Sequence, residues 1–205
     1  LNPLEPMLRF DISVQDKTIF ELKNISRFRL DGVYAIGSNA IVIRGHANRI
    51  EVSGCRFEWC VPLSIKSDKD FSIHMEDSQV CNGNMEIAPD TAGEKSAAFH
   101  RNHFFVDGNI SKNMRLKNIQ GTFGGNRFEG YSLVLMAGEK DTGIDVFENV
   151  FCDSQKERTL LTVKGKISAF TEIIFLKIFQ MRLPIPERES WICGTTGGEE
   201  KKGLR

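Results

Sequence analysis

Three charged residues stand at related points of three short apolar runs. Arg44 follows Ile41-Val42-Ile43, Lys66 follows Leu63-Ser64-Ile65, and Glu86 lies inside Met85-Glu86-Ile87. If these runs are strands lying side by side, neighbours are ~4.8 Å apart and the three charges share one surface. Such a row can grip one extended ligand, or pair off as cross-strand ions at a solvated margin. A second group is denser: Glu76, Asp77 and Gln79 each precede His100, Arg101 and His103 by 24 residues. A period of that length stacks carboxylate on imidazole and carboxylate on guanidinium, with Ser53 and Gly54 on one side and Gly124 and Gly125 on the other. A carboxylate beside an imidazole supplies an acid and a base, or donors for a divalent metal, and the alternative is a ladder of opposite charges decorating a turn. No HxH or HExxH spacing supports zinc. Trp59 and Tyr131 can offer ring faces to a ligand or cover a turn. Cys55 reads as a small buried residue. Cys60 and Cys81 can pair in an oxidising compartment only if geometry overcomes a two-residue offset within the repeat. Gly124-Gly125 has no following helix, so it is not a phosphate loop.

The elements that must position these groups come from a repeat. FRLDGV (28–33), VSGCRF (52–57), MEDSQV (75–80), FHRNHF (99–104), FGGNRF (123–128) and VFENVF (146–151), with a degraded FTEIIF (170–175), begin at intervals of 24, 23, 24, 24, 23 and 24 residues. Each has two apolar positions flanking a bend, and the bend position reads Asp31, Cys55, Ser78, Asn102, Asn126, Asn149, Ile173. Asn tolerates left-handed backbone, and stacked Asn side chains can bond to the turns above and below. A second set of runs, IVI (41–43), LSI (63–65), MEI (85–87), LVL (133–135) and LTV (161–163), alternates as strands do, with Val42, Ser64, Glu86, Val134 and Thr162 pointing outward. About 24 residues divided among three short strands and three turns make one coil of a parallel β-helix. A leucine-rich repeat needs an apolar residue three positions before its LxL, where this chain has Lys23, Ala47, Asp70, Glu94, Asn118, Asp141 and Gly165. The expected fold is all-β, a right-handed parallel β-helix of about seven coils with ~24 residues per coil.

Through phrases such as ELKNISRFRLDGV and IVIRGHANRIEVSGCRFE, residues 17 to 175 resemble the right-handed parallel β-helix superfamily, the pectate-lyase-like fold. The resemblance implies a ligand site along the outer face of one sheet, walled by turn insertions, and a polysaccharide that is bound or cleaved in an extracellular or periplasmic setting. It implies a lyase or glycoside-hydrolase type of chemistry. Uronate-cleaving lyases of this fold use a cation to neutralise the sugar carboxylate and a base to remove the adjacent proton, often with calcium as the cofactor. Arg44 would be the neutraliser, Lys66 the base, and Glu86 a ligand or partner. The candidate catalytic residues are thus Lys66, Arg44, His100 and Arg101, and the candidate substrate-binding residues Glu86, Glu76 and Trp59. The closely spaced Asp pair of fold-related hydrolases is not evident. A non-catalytic module for surface adhesion or assembly is the rival reading.

Composition agrees with one sizeable core: 205 residues, 40% hydrophobic and 26% charged. Lys+Arg and Asp+Glu are 27 each, so no global field exists to hold nucleic acid or an anionic membrane, and recognition must be local. The apolar stretch around Ile173 to Phe179 is broken by Lys177 and is far short of a membrane span. The expected organisation is a β-helix over residues 1 to 175, with 1–16 a partial first coil or cap, and a C-terminal cap or extension over 176–205 whose end, GTTGGEEKKGLR, has a mobile tail's composition. A start at Leu1 without a charged and apolar leader suggests a fragment or processed product. The turns APDTAGEKS (88–96) and CDSQKERT (152–159) are the longer ones.

Overall fold

Alternating apolar residues in short segments, interrupted by tight bends, leave each segment with one face to bury, and a coiled chain buries all of them against one another. The computed structural model describes residues 8–11, 17–37, 39–65, 69–89, 95–107, 110, 112–136, 143–152, 159–164 and 169–176. These contain strands and turns and no helix, so none is long and apolar enough to cross a membrane. The strands form three parallel sheets, and the chain visits them in rotation as a right-handed β-helix.

Sheet A contains Leu8–Asp11, Val33–Ile36, Arg56–Glu58, Gln79–Cys81, His103–Phe105, Arg127–Glu129, Val150–Cys152 and Ile174–Leu176. Sheet B contains Thr18–Leu22, Asn39–Ile43, Val61–Ile65, Met85–Ile87, Lys112–Lys117, Tyr131–Met136 and Leu161–Lys164. Sheet C contains Phe28–Asp31, Ala47–Ser53, Phe71–Glu76, Lys95–His100, Gln120–Gly124, Ile144–Phe147 and Ala169–Thr171.

The apolar columns expected from the repeat are present. Phe104, Phe128, Phe151 and Phe175 stack with ring centroids 5.0, 4.8 and 5.2 Å apart and interplanar angles of 9°, 8° and 19°. Phe99 and Phe123 stack at 5.3 Å. The ring separation is close to the strand spacing, so in-register pairing delivers offset-stacked rings without side-chain strain.

Two details depart from the sequence reading. Val52 pairs with Leu30 rather than Phe28, and Ala35, not Val33, pairs with Phe57. A slip of two residues keeps every side chain on its own face, so alternation alone cannot detect it. A strand at Lys112–Lys117, whose Met114 and Leu116 continue the inner rows between Met85–Ile87 and Leu133–Leu135, is missing from the repeat as read from sequence.

At the bend between sheets C and A, the left-handed residue is the one before the Asn. Gly32, Gly54, Asp77, Arg101, Gly125, Glu148 and Glu172 all have φ between 49° and 64°. The Asn itself turns inward and is buried. Asn126 Oδ1 accepts the Asn102 backbone N–H at 3.0 Å, and Asn149 Oδ1 accepts that of Asn126 at 3.0 Å. Asn126 Nδ2 donates to the Phe99 carbonyl at 2.8 Å. Asn102 Oδ1 takes the Ser78 N–H, and Ser78 Oγ takes the Cys55 N–H, both at 3.0 Å. The ladder therefore shrinks to a hydroxyl and then a thiol toward the N-terminal coils.

Asn126→Leu would strand the Asn102 N–H and the Phe99 carbonyl inside the coil. The expected loss is roughly 1–3 kcal/mol, read as a lowered midpoint in urea or thermal unfolding. An unchanged midpoint would show that the ladder does not hold the bend.

Candidate functional site

Alternation turns every second residue of each strand outward, and pairing lines these up in rows across successive coils. The predicted charge stack on sheet C and its bend is present. Glu76 pairs with His100 and Gln79 with His103. Arg101 bridges both carboxylates, with Nε 2.8 Å from Asp77 Oδ1 and a terminal nitrogen 2.9 Å from Glu76 Oε2. His100 lies between the His74 ring, 5.4 Å away edge-on, and the Phe147 ring at 6.1 Å, and its Nε2 is 2.8 Å from Thr122 Oγ1. His74 Nε2 is tucked in without a hydrogen bond, 3.5 Å from Glu76 Oε2. Burial, then the positive charge of His74 and Arg101, pushes the His100 imidazole below its ordinary pKa, against Glu76. The Arg101 guanidinium holds the Asp77 carboxyl low. Among the described residues no group of three or more His, Cys, Asp and Glu side chains converges to hold a metal. Glu76, Asp77 and Arg101 satisfy one another, which leaves His100 as the group on this surface with a displaced pKa and no ion-pair partner among the described residues.

The row expected on sheet B is arranged differently. Arg44 Nε pairs with Glu21 Oε1 at 2.9 Å, whereas Glu86 pairs with Arg115 of the next coil at 3.3 Å. Register puts Arg44 in the row after Val42, and Glu86 in the row of Val42 and Ser64, two coils on. The two are thus about 12 Å apart and do not meet. Lys66 lies outside the described residues.

Around Glu86 the outer face of sheet B forms an open depression of about 500 Å³, lined by Asn84, Met85, Glu86, Asn113, Arg115, Val134 and Met136. The Asn84 amide oxygen takes the Asn113 backbone N–H at 3.2 Å. On the far margin, Met136 pairs with Lys117 on one side and Lys164 on the other. Extending the register, the same row holds Lys23 and Arg44. Lys23 and Arg44 both reach Glu21, at 3.7 and 2.9 Å. Lys117 and Lys164 have no carboxylate partner among the described residues. Sequence reading missed Lys117 because the 112–117 strand was absent from its repeat, a lysine one residue beyond an alternating MRL run being the available signal, and it passed over Lys164 although that residue directly follows LTV (161–163). By contrast, Val42, turned outward in the same sheet, is buried.

The aromatic candidates separate. Trp59 stands exposed at the corner between sheets A and B. Tyr131 is fully buried, packs 5.6 Å from Phe104 and donates its hydroxyl proton to the Gly83 carbonyl, and burial pushes its phenol up, so it offers no ring face to a ligand. Cys60 lies in the core and Cys81 on the outer side of sheet A, and the structure does not join them in a disulfide. Cys193 is outside the described residues.

No protein-family model matches this sequence, and no curated protein matches it. The fold and the side-chain geometry are therefore what a functional reading has to stand on.

Because His100 accepts a proton less readily when folded, the unfolded chain is protonated first as pH falls. Stability should decline from about pH 6.5 downward until the lower folded value is passed. Asp77, held low by Arg101, contributes in a separate window: its stabilisation is present above the ordinary carboxylate pKa and is lost only as pH falls through its depressed value. Thermal midpoints of the wild type and His100→Gln, compared between about pH 7.5 and 5, should show a shallower decline in the variant. Parallel curves would remove His100 as the titrating group.

Proposed function

We propose that this β-helix binds an acidic polysaccharide lying along the outer face of sheet B. The observation that carries the reading is the pair Lys117 and Lys164, unneutralised among the described residues, on one margin of an open groove that has amides on the other. Repeating anionic polymers present a charge at regular intervals, and a parallel β-helix presents a row position every ~4.8 Å. Asn84 and Asn113 supply amide donors and acceptors for ring hydroxyls, and Val134 with Met136 supply an apolar strip for a sugar's C–H face. The Glu86–Arg115 pair is neutral as a unit and can accept and donate side by side. The resemblance to pectate-lyase-like proteins, in which ligands lie along the outer face of a sheet, points to the same surface.

Cleavage is the further step within this reading. A lyase needs a base near the carbon next to the uronate carboxylate. Lys66, which directly follows Leu63-Ser64-Ile65 in the sequence, is the candidate base, with Arg44 as the neutraliser of the carboxylate. The secreted setting expected of such a ligand stands with the proposal.

Isothermal titration with galacturonate, alginate and neutral glucan oligomers, each with and without calcium, tests both steps. Acidic oligomers should bind in preference to neutral ones. Lys117→Ala and Lys164→Ala should each weaken binding by roughly 3–10-fold and reduce its salt dependence. The rise in absorbance of unsaturated uronide, abolished by Lys66→Ala, would show cleavage. Equal affinity for neutral and acidic oligomers, or none for either, would overturn the proposal.

A further inference from the structure

Trp59 sits in a backbone conformation that does not suit it. Its φ is 51°, in the left-handed region where a side chain with a Cβ meets its own carbonyl. The residues at the same turn in neighbouring coils are the ones that this geometry favours: Gly37 before it, Asn82 after it and Gly130 further on, at φ 68°, 56° and 61°. Their backbone N–H groups bond in the same way to the next coil, Trp59 to the Cys81 carbonyl at 2.9 Å and Asn82 to that of Phe105 at 3.1 Å. The turn thus forms in these coils with or without an indole. Nor does the indole repay its conformation by packing, since Trp59 is 58% exposed. It bears two costs together, a strained backbone and a large apolar side chain in water.

Its place gives the reason. Trp59 is one coil before Asn82, and Asn84, at the near margin of the sheet B groove, is two residues past Asn82. By strand geometry the Trp59 and Asn84 backbones are about 8 Å apart. The corner between sheets A and B therefore carries a free indole beside the N-terminal end of the groove. Its immediate neighbours are polar: Glu58 accepts from the Tyr34 hydroxyl at 2.5 Å and from Arg56 at 2.7 Å.

We propose that Trp59 is a stacking platform that extends the sheet B groove by one sugar, taking the C–H face of a pyranose on its indole. This rests on the polysaccharide reading of that groove and adds a subsite to it. The indole is fixed by two side-chain torsions, so little freedom is lost when a sugar settles on it.

The test uses the full chain and a galacturonate hexamer as probe. Trp59→Gly relieves the backbone while removing the ring. Its thermal midpoint should rise by about 2–4 °C while affinity for the hexamer falls by about tenfold. Trp59→Phe should keep most of the affinity. In a Trp191→Phe background, where Trp59 is the one remaining tryptophan, the hexamer should shift its fluorescence. A lowered midpoint in Trp59→Gly would make the indole a structural residue and overturn the proposal. Unchanged affinity in Trp59→Gly, alongside loss in Lys117→Ala, would overturn the platform and leave the groove. Loss in Trp59→Gly alone would overturn the groove's charged margin and leave the platform. A hexamer that does not bind the wild type overturns both.

Discussion

Parallel pairing in register is the constraint from which the rest of this molecule follows. Each residue has a counterpart one coil away at ~4.8 Å, so whatever is placed at one position must tolerate its equivalent directly above and below. Inside, this favours like on like, and the Phe104–Phe128–Phe151–Phe175 column satisfies it with near-parallel rings. A polar group can enter the interior only if its neighbours complete its bonds. Asn does this at the bend between sheets C and A because its carbonyl oxygen faces the N–H of the preceding coil while its amide faces a strand carbonyl. Ser78 completes only part of that pattern, and Cys55 donates weakly to the Ser53 and Leu30 carbonyls. At Cys55 the bend survives because Gly54 relieves the left-handed position beside it, as Gly32 does one coil earlier.

The same constraint decides how much could be read from the residues alone. Period and alternation are properties of sequence, so the β-helix, its three strands per coil and the stacking of Glu76 on His100 and Asp77 on Arg101 were all legible. A shift of two residues changes neither property, which is why the first coil could be misplaced against the second. Which of two neighbouring outer rows a side chain joins is decided by the lengths of the turns. Arg44 and Glu86 therefore looked like partners although each had a nearer one, Glu21 and Arg115. Lys95 was equally hidden: it is fully buried at an inward position between Phe71 and Ile119, a site where the pattern asks for an apolar residue.

A net charge of zero conceals a division of labour among the outer rows. On sheet C and its bend several charges meet opposite partners on the same or the next coil, as Arg27 and Arg49 do with Glu51 and Arg101 does with Glu76 and Asp77. On sheet A, Arg56 with Glu58 and Arg127 with Glu129 close the same way two residues apart. Exposed pairs of this kind add little stability, but they leave no lasting local field. The outer margin of sheet B breaks the pattern: among the described residues its row holds Lys23, Arg44, Ala88, Lys117, Met136 and Lys164, without a carboxylate of its own. Glu21, in the adjacent row, answers the first two. Lys117 and Lys164, two coils apart across Met136, have no such answer among the described residues, so this margin keeps a local positive charge. Where pairs close within a face, as at Arg56–Glu58 and Arg127–Glu129, that charge is cancelled.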